Sequence, residues 1–77
     1  MQVLIKTLSG QRVPFDFEPG DTIAQVKRSI HENEPSFDLR QMRLIYSGRH
    51  LSDELTLRDY KVIPGSTIHM VLQLRGG

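Results

Sequence analysis

At 77 residues the chain is too short for two cores, because domains run to roughly 50–200 residues and the smallest bury only about 60% of their surface. Ten basic and nine acidic residues leave a formal net charge of +1, which excludes the broad positive field that non-specific nucleic-acid binding uses. There is no cysteine, and His31, His50 and His69 are scattered without metal-ligand spacing, so disulfides, a nucleophilic thiol and a structural metal are all excluded as supports. Packing and hydrogen bonds must hold the fold. No basic segment leads into an apolar run, so neither a signal peptide nor a membrane span is expected. Absence of cysteine suits a reducing compartment, which makes the cytoplasm and nucleus the expected locations and a soluble monomer the expected state.

Residues 1–8 alternate, with Val3 and Ile5 on one side and Gln2, Leu4 and Lys6 on the other, the two-residue period of a strand buried on one face. A turn through Gly10 leads to Val13, Phe15 and Phe17 alternating against Arg12, Pro14 and Asp16, which predicts a hairpin. Pro14 cannot donate to a ladder, so this second strand belongs at a sheet edge. Thr22 followed by Gln25 is a capping box, and Ile23, Val26 and Ile30 fall at helical spacing, predicting a helix over 22–34 that must stop before Pro35. Phe37 and Leu39 read as apolar anchors of the connector that follows. A strand over 41–46 is turned by Ser47-Gly48 into a short return over 49–51. Leu55, Leu57 and Tyr60 are expected to pin a loop to the core, and a last strand spans 66–74 with Ile68, Met70 and Leu72 on one parity. The order predicts an α+β fold of the β-grasp kind, a mixed four- to five-stranded sheet packed on one helix. The domain is expected to occupy 1–73, with 74–77 as a flexible tail.

Parity also spends aliphatic residues on water. If Met42 and Leu44 point inward, Ile45 points outward, and if Ile68, Met70 and Leu72 point inward, His69, Val71 and Gln73 point outward. Exposed apolar residues in one patch mark a partner site, whereas single ones need no explanation. Most acidic residues, including Asp16, Glu18, Asp21, Glu32 and Glu34, sit on the edge strand and the helix instead.

Met1-Gln2, Lys6-Thr7-Leu8, Glu18-Pro19, Asp21-Thr22-Ile23, Val26-Lys27, the run from Arg43 through Leu44-Ile45-Tyr46-Ser47 to Gly48, Asp59-Tyr60 and Leu74-Arg75-Gly76-Gly77 together resemble ubiquitin and its close relatives. The likeness covers the whole chain in one register, apart from one extra residue between Pro35 and Met42. Two members of the family compete. Tyr46-Ser47-Gly48 and Asp59-Tyr60-Lys61 look like the cullin-modifying Nedd/Rub type, whereas Met1-Gln2, Glu18-Pro19 and Asp21-Thr22-Ile23 look like ubiquitin. Gln73 stands where ubiquitin carries arginine and the Rub type alanine, a difference read by their activating enzymes together with Leu74 and Arg75. Lys6, Lys27 and Lys61 are the lysines left as chain acceptors, and Arg49 and Pro64 occupy the places of ubiquitin's two best-known linkage lysines. A guanidinium keeps the charge but cannot serve as an acyl acceptor, so the resemblance favours the Rub type.

The resemblance further implies that Leu8 and Gly48 join Ile45, His69 and Val71 in the patch, with Lys6, Arg43, Arg49 and Arg75 as a basic border suited to acidic partner surfaces. Lys27 lies on the inward side of the helix and is expected beside a carboxylate such as Asp53, as in the family. Gly76 and Gly77 would be activated with ATP, carried as a thioester and joined to target lysines. Glycines suit that task because they permit close backbone approach and keep the end of the chain supple. A terminal Gly-Gly arises by chance roughly once in 200 chains, so its weight comes from the match around it. No histidine has a carboxylate and hydroxyl partner at recognisable spacing. The protein is therefore read as the substrate of a cascade, not an enzyme, needing no cofactor of its own. Its expected partners are an activating enzyme, a conjugating enzyme, a ligase, a deconjugating protease and targets such as cullins. Ubiquitin or a divergent ubiquitin, a sulfur carrier ending in Gly-Gly, and a non-covalent domain of a longer protein are the other readings.

Overall fold

Val3 and Ile5 are fully buried on one side of β1 (Gln2–Lys6), as the alternation requires, while Gln2 is exposed on the other. The computed structural model describes residues 1–73. A turn closed by Thr7 and Gln11 leads into β2 (Arg12–Asp16), which pairs antiparallel with β1 in the register Val3↔Phe15, Leu4↔Pro14 and Ile5↔Val13. β2 forms one sheet edge, where a proline interrupts no second ladder. Phe15 and Phe17 stack at 5.6 Å between ring centroids.

Helix α1 (Ile23–Asn33) begins at the expected cap. Gln25 N donates to Thr22 Oγ1 at 3.2 Å and Thr22 N donates to Gln25 Oε1 at 2.7 Å. The next two orphan donors of the first turn are met by the distant loop: Ile23 N donates to Leu55 O and Ala24 N to Asp53 O. Ile23, Val26 and Ile30 face the sheet, and the helix closes where Glu34 N donates to Ile30 O, one residue before Pro35.

β3 (Met42–Tyr46) and β4 (Arg49–His50) are joined by Ser47 and Gly48, both at positive φ. Two consecutive left-handed residues match the right-handed twist of a tight hairpin. β5 (Thr67–Leu72) runs parallel to β1 and antiparallel to β3, giving the order β2-β1-β5-β3-β4. The core gathers Val3, Ile5, Phe17, Ile23, Val26, Ile30, Met42, Leu44, Leu51, Leu57, Val62, Ile68 and Met70 between sheet and helix.

Three expectations need correction. Leu39 and Leu55, read as anchors, are 36% and 39% exposed. Leu55 holds its loop through its carbonyl on α1, and Leu57 with Val62 supplies the buried contact. Leu51, read as part of the return strand, leaves the ladder and turns inward while its N–H still reaches Leu44 O at 2.9 Å. The strands are also shorter at their ends than the alternation implied, and residue 74 lies outside the described residues.

Candidate functional site

The ladder registers fix which side chains share the outward face. Leu4 faces Thr67, Lys6 faces His69, Arg43 faces Val71, and Ile45 faces His69 on one side and His50 on the other. Directly opposed residues point the same way, so Lys6, Arg43, Ile45, His69 and Val71 are brought together. Ile45 and Val71 are half-buried, His69 is exposed, and Leu8 is 57% exposed just beyond β1. Gly48 is exposed in the β3–β4 turn at φ 77.

Arg43 is not a free rim cation. Its Nε donates to Gln73 Oε1 at 3.0 Å and its Nη1 to Met42 O at 3.2 Å. Gln73 N donates to Gln41 O at 2.7 Å, which extends the β3–β5 pairing one step past β5 and fixes the direction of the last described residue.

Arg49 is separated from this group. The two-residue turn pairs it with Tyr46, on the opposite parity from Ile45. It lines a cleft of 290 Å³ with Tyr46, Ser47, Asp59, Tyr60 and Lys61. The hairpin places His50 beside Ile45 instead, and Arg12, across from Lys6, adds a cation to the face. The sequence reading leaves both out of the partner patch and its border, although the Ser47-Gly48 loop length contained the signal for His50.

Of the lysines, Lys6 is half-buried, Lys61 is exposed with φ 58, and Lys27 is only 6% exposed. Lys27 Nζ donates to Asp53 Oδ1 at 2.6 Å, the pairing its place on the helix implied. Beside the cleft, Thr56 and Asp59 bond reciprocally: Thr56 N donates to Asp59 Oδ2 and Asp59 N to Thr56 Oγ1. The Thr56 N–H holds the Asp59 carboxyl below its ordinary range, and the Arg40 N–H does the same for Asp38. Among the described residues no cluster of three metal-ligating side chains occurs, and no helix is long and apolar enough to cross a membrane. The expected conjugation and recognition residues Leu74, Arg75, Gly76 and Gly77 lie outside the described residues.

A mixed five-stranded sheet packed on one capped helix, with an apolar and basic outward face, defines a β-grasp domain of the ubiquitin-like kind. The ubiquitin family profile matches residues 3–75, and the chain belongs to that family. NEDD8-like protein RUB3 of Arabidopsis thaliana is 39% identical over 77 residues, covering the whole of this chain and 97% of that protein. Ubiquitin-like protein 1 of Schizosaccharomyces pombe is 36% identical over the same span and 97% of its own length. Ubiquitin-like protein NEDD8 of Dictyostelium discoideum is likewise 36% identical, over 99% of its length.

Proposed function

We propose that the protein is a Nedd/Rub-type modifier, activated at Gly77 in an ATP-dependent reaction, passed as a thioester through activating and conjugating enzymes, and joined by a ligase to lysines of targets such as cullins. The observation that carries this reading is the full-length likeness to NEDD8-like proteins in a chain whose sequence carries the run Leu74-Arg75-Gly76-Gly77. The domain supplies surfaces and the partner enzymes supply the chemistry, so the protein acts as substrate and not as enzyme.

The outward face serves as the partner surface, with Ile45, Val71 and Leu8 as apolar contacts and Lys6 and Arg43 as charged neighbours. Deconjugation by a protease would read the same face and tail. A cytoplasmic and nuclear setting follows from the partners. Lys6 and Lys61 are the accessible acceptors for any self-linkage, because the Lys27 amine is buried against Asp53. A divergent ubiquitin is the second reading, favoured by Met1-Gln2, Glu18-Pro19 and Asp21-Thr22-Ile23.

Tagged protein ending at Gly77, beside a form ending at Arg75, tests the reading in native cell extract with ATP. Denaturation-resistant adducts from the longer form alone support conjugation, and a few cullin-sized targets support the Rub type. A broad ladder would move the protein to the ubiquitin pathway, and no adduct from either form would overturn the proposal.

A further inference from the structure

The β2 edge of the sheet carries backbone groups that no neighbouring strand takes up. Leu4 N donates to Ser66 O on the β5 side, while Thr7 N donates to Gln11 O and Phe17 N to Met1 O. Odd-numbered residues of β2 therefore bond to β1, and Arg12, Pro14 and Asp16 turn their backbone groups off the sheet. Arg12 and Asp16 each present an N–H and a C=O there, and Pro14 presents a C=O alone. Val13 and Phe15, half-buried, point inward instead. With Ile30 and Phe37 they wall a groove of about 150 Å³ between β2 and the end of α1, and Asn33 and Glu34 line its helix side. A cavity of about this size lined by apolar groups admits a benzene ring, so one branched side chain fits. Acids border this edge: Glu34 stands at the groove, Asp16 ends β2 and Glu18 follows it, against Arg12 as the cation of the strand. Asp16 meets the Met1 amino group at 3.3 Å with its own side chain 92% exposed, a pairing loose enough to exchange.

We propose that this edge takes a lysine-bearing extended segment of a partner protein as an added antiparallel strand, with an apolar side chain seated between β2 and α1. In such an addition the main chain supplies affinity and the groove selects alternate side chains. Opposed residues share a side of the sheet, so partner residues across from Val13 and Phe15 face the groove. The added ladder holds two bonds at Arg12, two at Asp16 and one at Pro14 O, and the absent Pro14 N–H leaves one partner carbonyl unbonded. A lysine across from Asp16 and another at the Gln11 end, where Glu34 lines the groove, answer the two acids. A second copy of this chain fits less well. The antiparallel pairing that sets Arg12 against Asp16 also sets Pro14 against Pro14, which removes both central bonds.

The test uses the full chain and the end-blocked peptide Lys-Val-Ser-Leu-Ser-Lys, whose residues run opposite Asp16 through to Gln11. Amide shifts in a titration should concentrate on β2 and the end of α1. Pro14→Ala restores an N–H on the free edge without touching a bond to β1. It is expected to tighten binding about fivefold, the scale of one net hydrogen bond, a gain that a damaged fold could not produce. Glu34→Lys and Asp16→Lys, both at exposed positions, should each weaken binding about threefold at low salt while keeping the unfolding midpoint. An N-methyl group on the first serine, whose N–H would reach Pro14 O, should remove binding. Absence of saturable binding, shifts centred on Ile45 and Val71, an unchanged affinity in Pro14→Ala, or equal binding by a peptide with glutamates in place of the lysines overturns the proposal.

Discussion

Arg43 Nε donates to Gln73 Oε1 at 3.0 Å, so the residue that stands where ubiquitin and the Rub type differ is tied to a cation of the outward face. Gln73→Ala removes that bond and leaves the guanidinium its contact with Met42 O, and Gln73→Arg sets a second cation beside it. Both changes lie on exposed surface and should alter stability by less than about 1 kcal/mol. Their effect is expected in recognition. In competition between purified activating enzymes, Gln73→Ala is expected to shift charging toward the Rub-type enzyme and Gln73→Arg toward the ubiquitin enzyme. Equal preference in all three proteins would remove Gln73 from specificity.

Ile45 and Val26 test which side of the sheet carries energy. Val26 is fully buried against the core, so Val26→Ala should cost about 1–3 kcal/mol through lost burial and the cavity left behind. Ile45→Ala removes an outward, half-buried side chain and should cost less than about 1 kcal/mol while weakening partner capture. Urea unfolding beside a binding assay separates the two. A larger loss of stability from Ile45→Ala than from Val26→Ala would place Ile45 in the core.

Lys27 carries its stem into the core while its ammonium meets Asp53, whose side chain is 58% exposed. Removing the acid leaves a buried cation without its partner, so Asp53→Ala is expected to destabilise by about 1–3 kcal/mol. Lys27→Met keeps the packed stem and removes the charge together with its desolvation, and should be close to neutral. Chemical denaturation of both variants checks the asymmetry. Equal costs would mean that the ion pair, rather than the burial of an unpaired ammonium, sets the energy.

Asp38 and Asp59 titrate below the ordinary value of 3.8 in the folded chain, held there chiefly by the backbone N–H groups of Arg40 and Thr56. A lowered folded pKa gives stability that is fully present above the unfolded value and is lost as pH falls through the folded value. Stability should therefore stay level from neutral pH to about pH 4 as far as these groups are concerned, then decline. Asp59→Asn should lower stability at neutral pH and flatten part of the acid decline. Thermal melts from pH 7 to pH 2, at about one-unit steps, give the profile, and an unchanged acid slope in Asp59→Asn would contradict this role.

The sequence exposed most of the architecture because its signals were local. Thr22 and Gln25 announced the cap, Pro35 the stop, Pro14 the edge, and the parity of Ile45 against Leu44 the outward patch. Leu39 and Leu55 were misread because hydrophobicity alone does not say where a loop residue points. Leu55 serves through a carbonyl that completes the first turn of α1, a contact set by distant chain segments. Arg49 was misassigned for a related reason: resemblance placed it near the patch, while the Ser47-Gly48 turn pairs it with Tyr46 and gives the place beside Ile45 to His50. The Arg43–Gln73 bond joins residues thirty positions apart and depends on the β3–β5 register, which no local pattern encodes.

Thioester formation tests the central claim most directly. Purified chain ending at Gly77 and a form ending at Arg75 are incubated with a Rub-type activating enzyme and ATP, then separated with and without thiol reductant. The account predicts a reductant-sensitive adduct on the enzyme's cysteine from the Gly77 form and none from the shorter one. Absence of that adduct with both Rub-type and ubiquitin activating enzymes, from a protein that is demonstrably folded, would contradict the modifier reading.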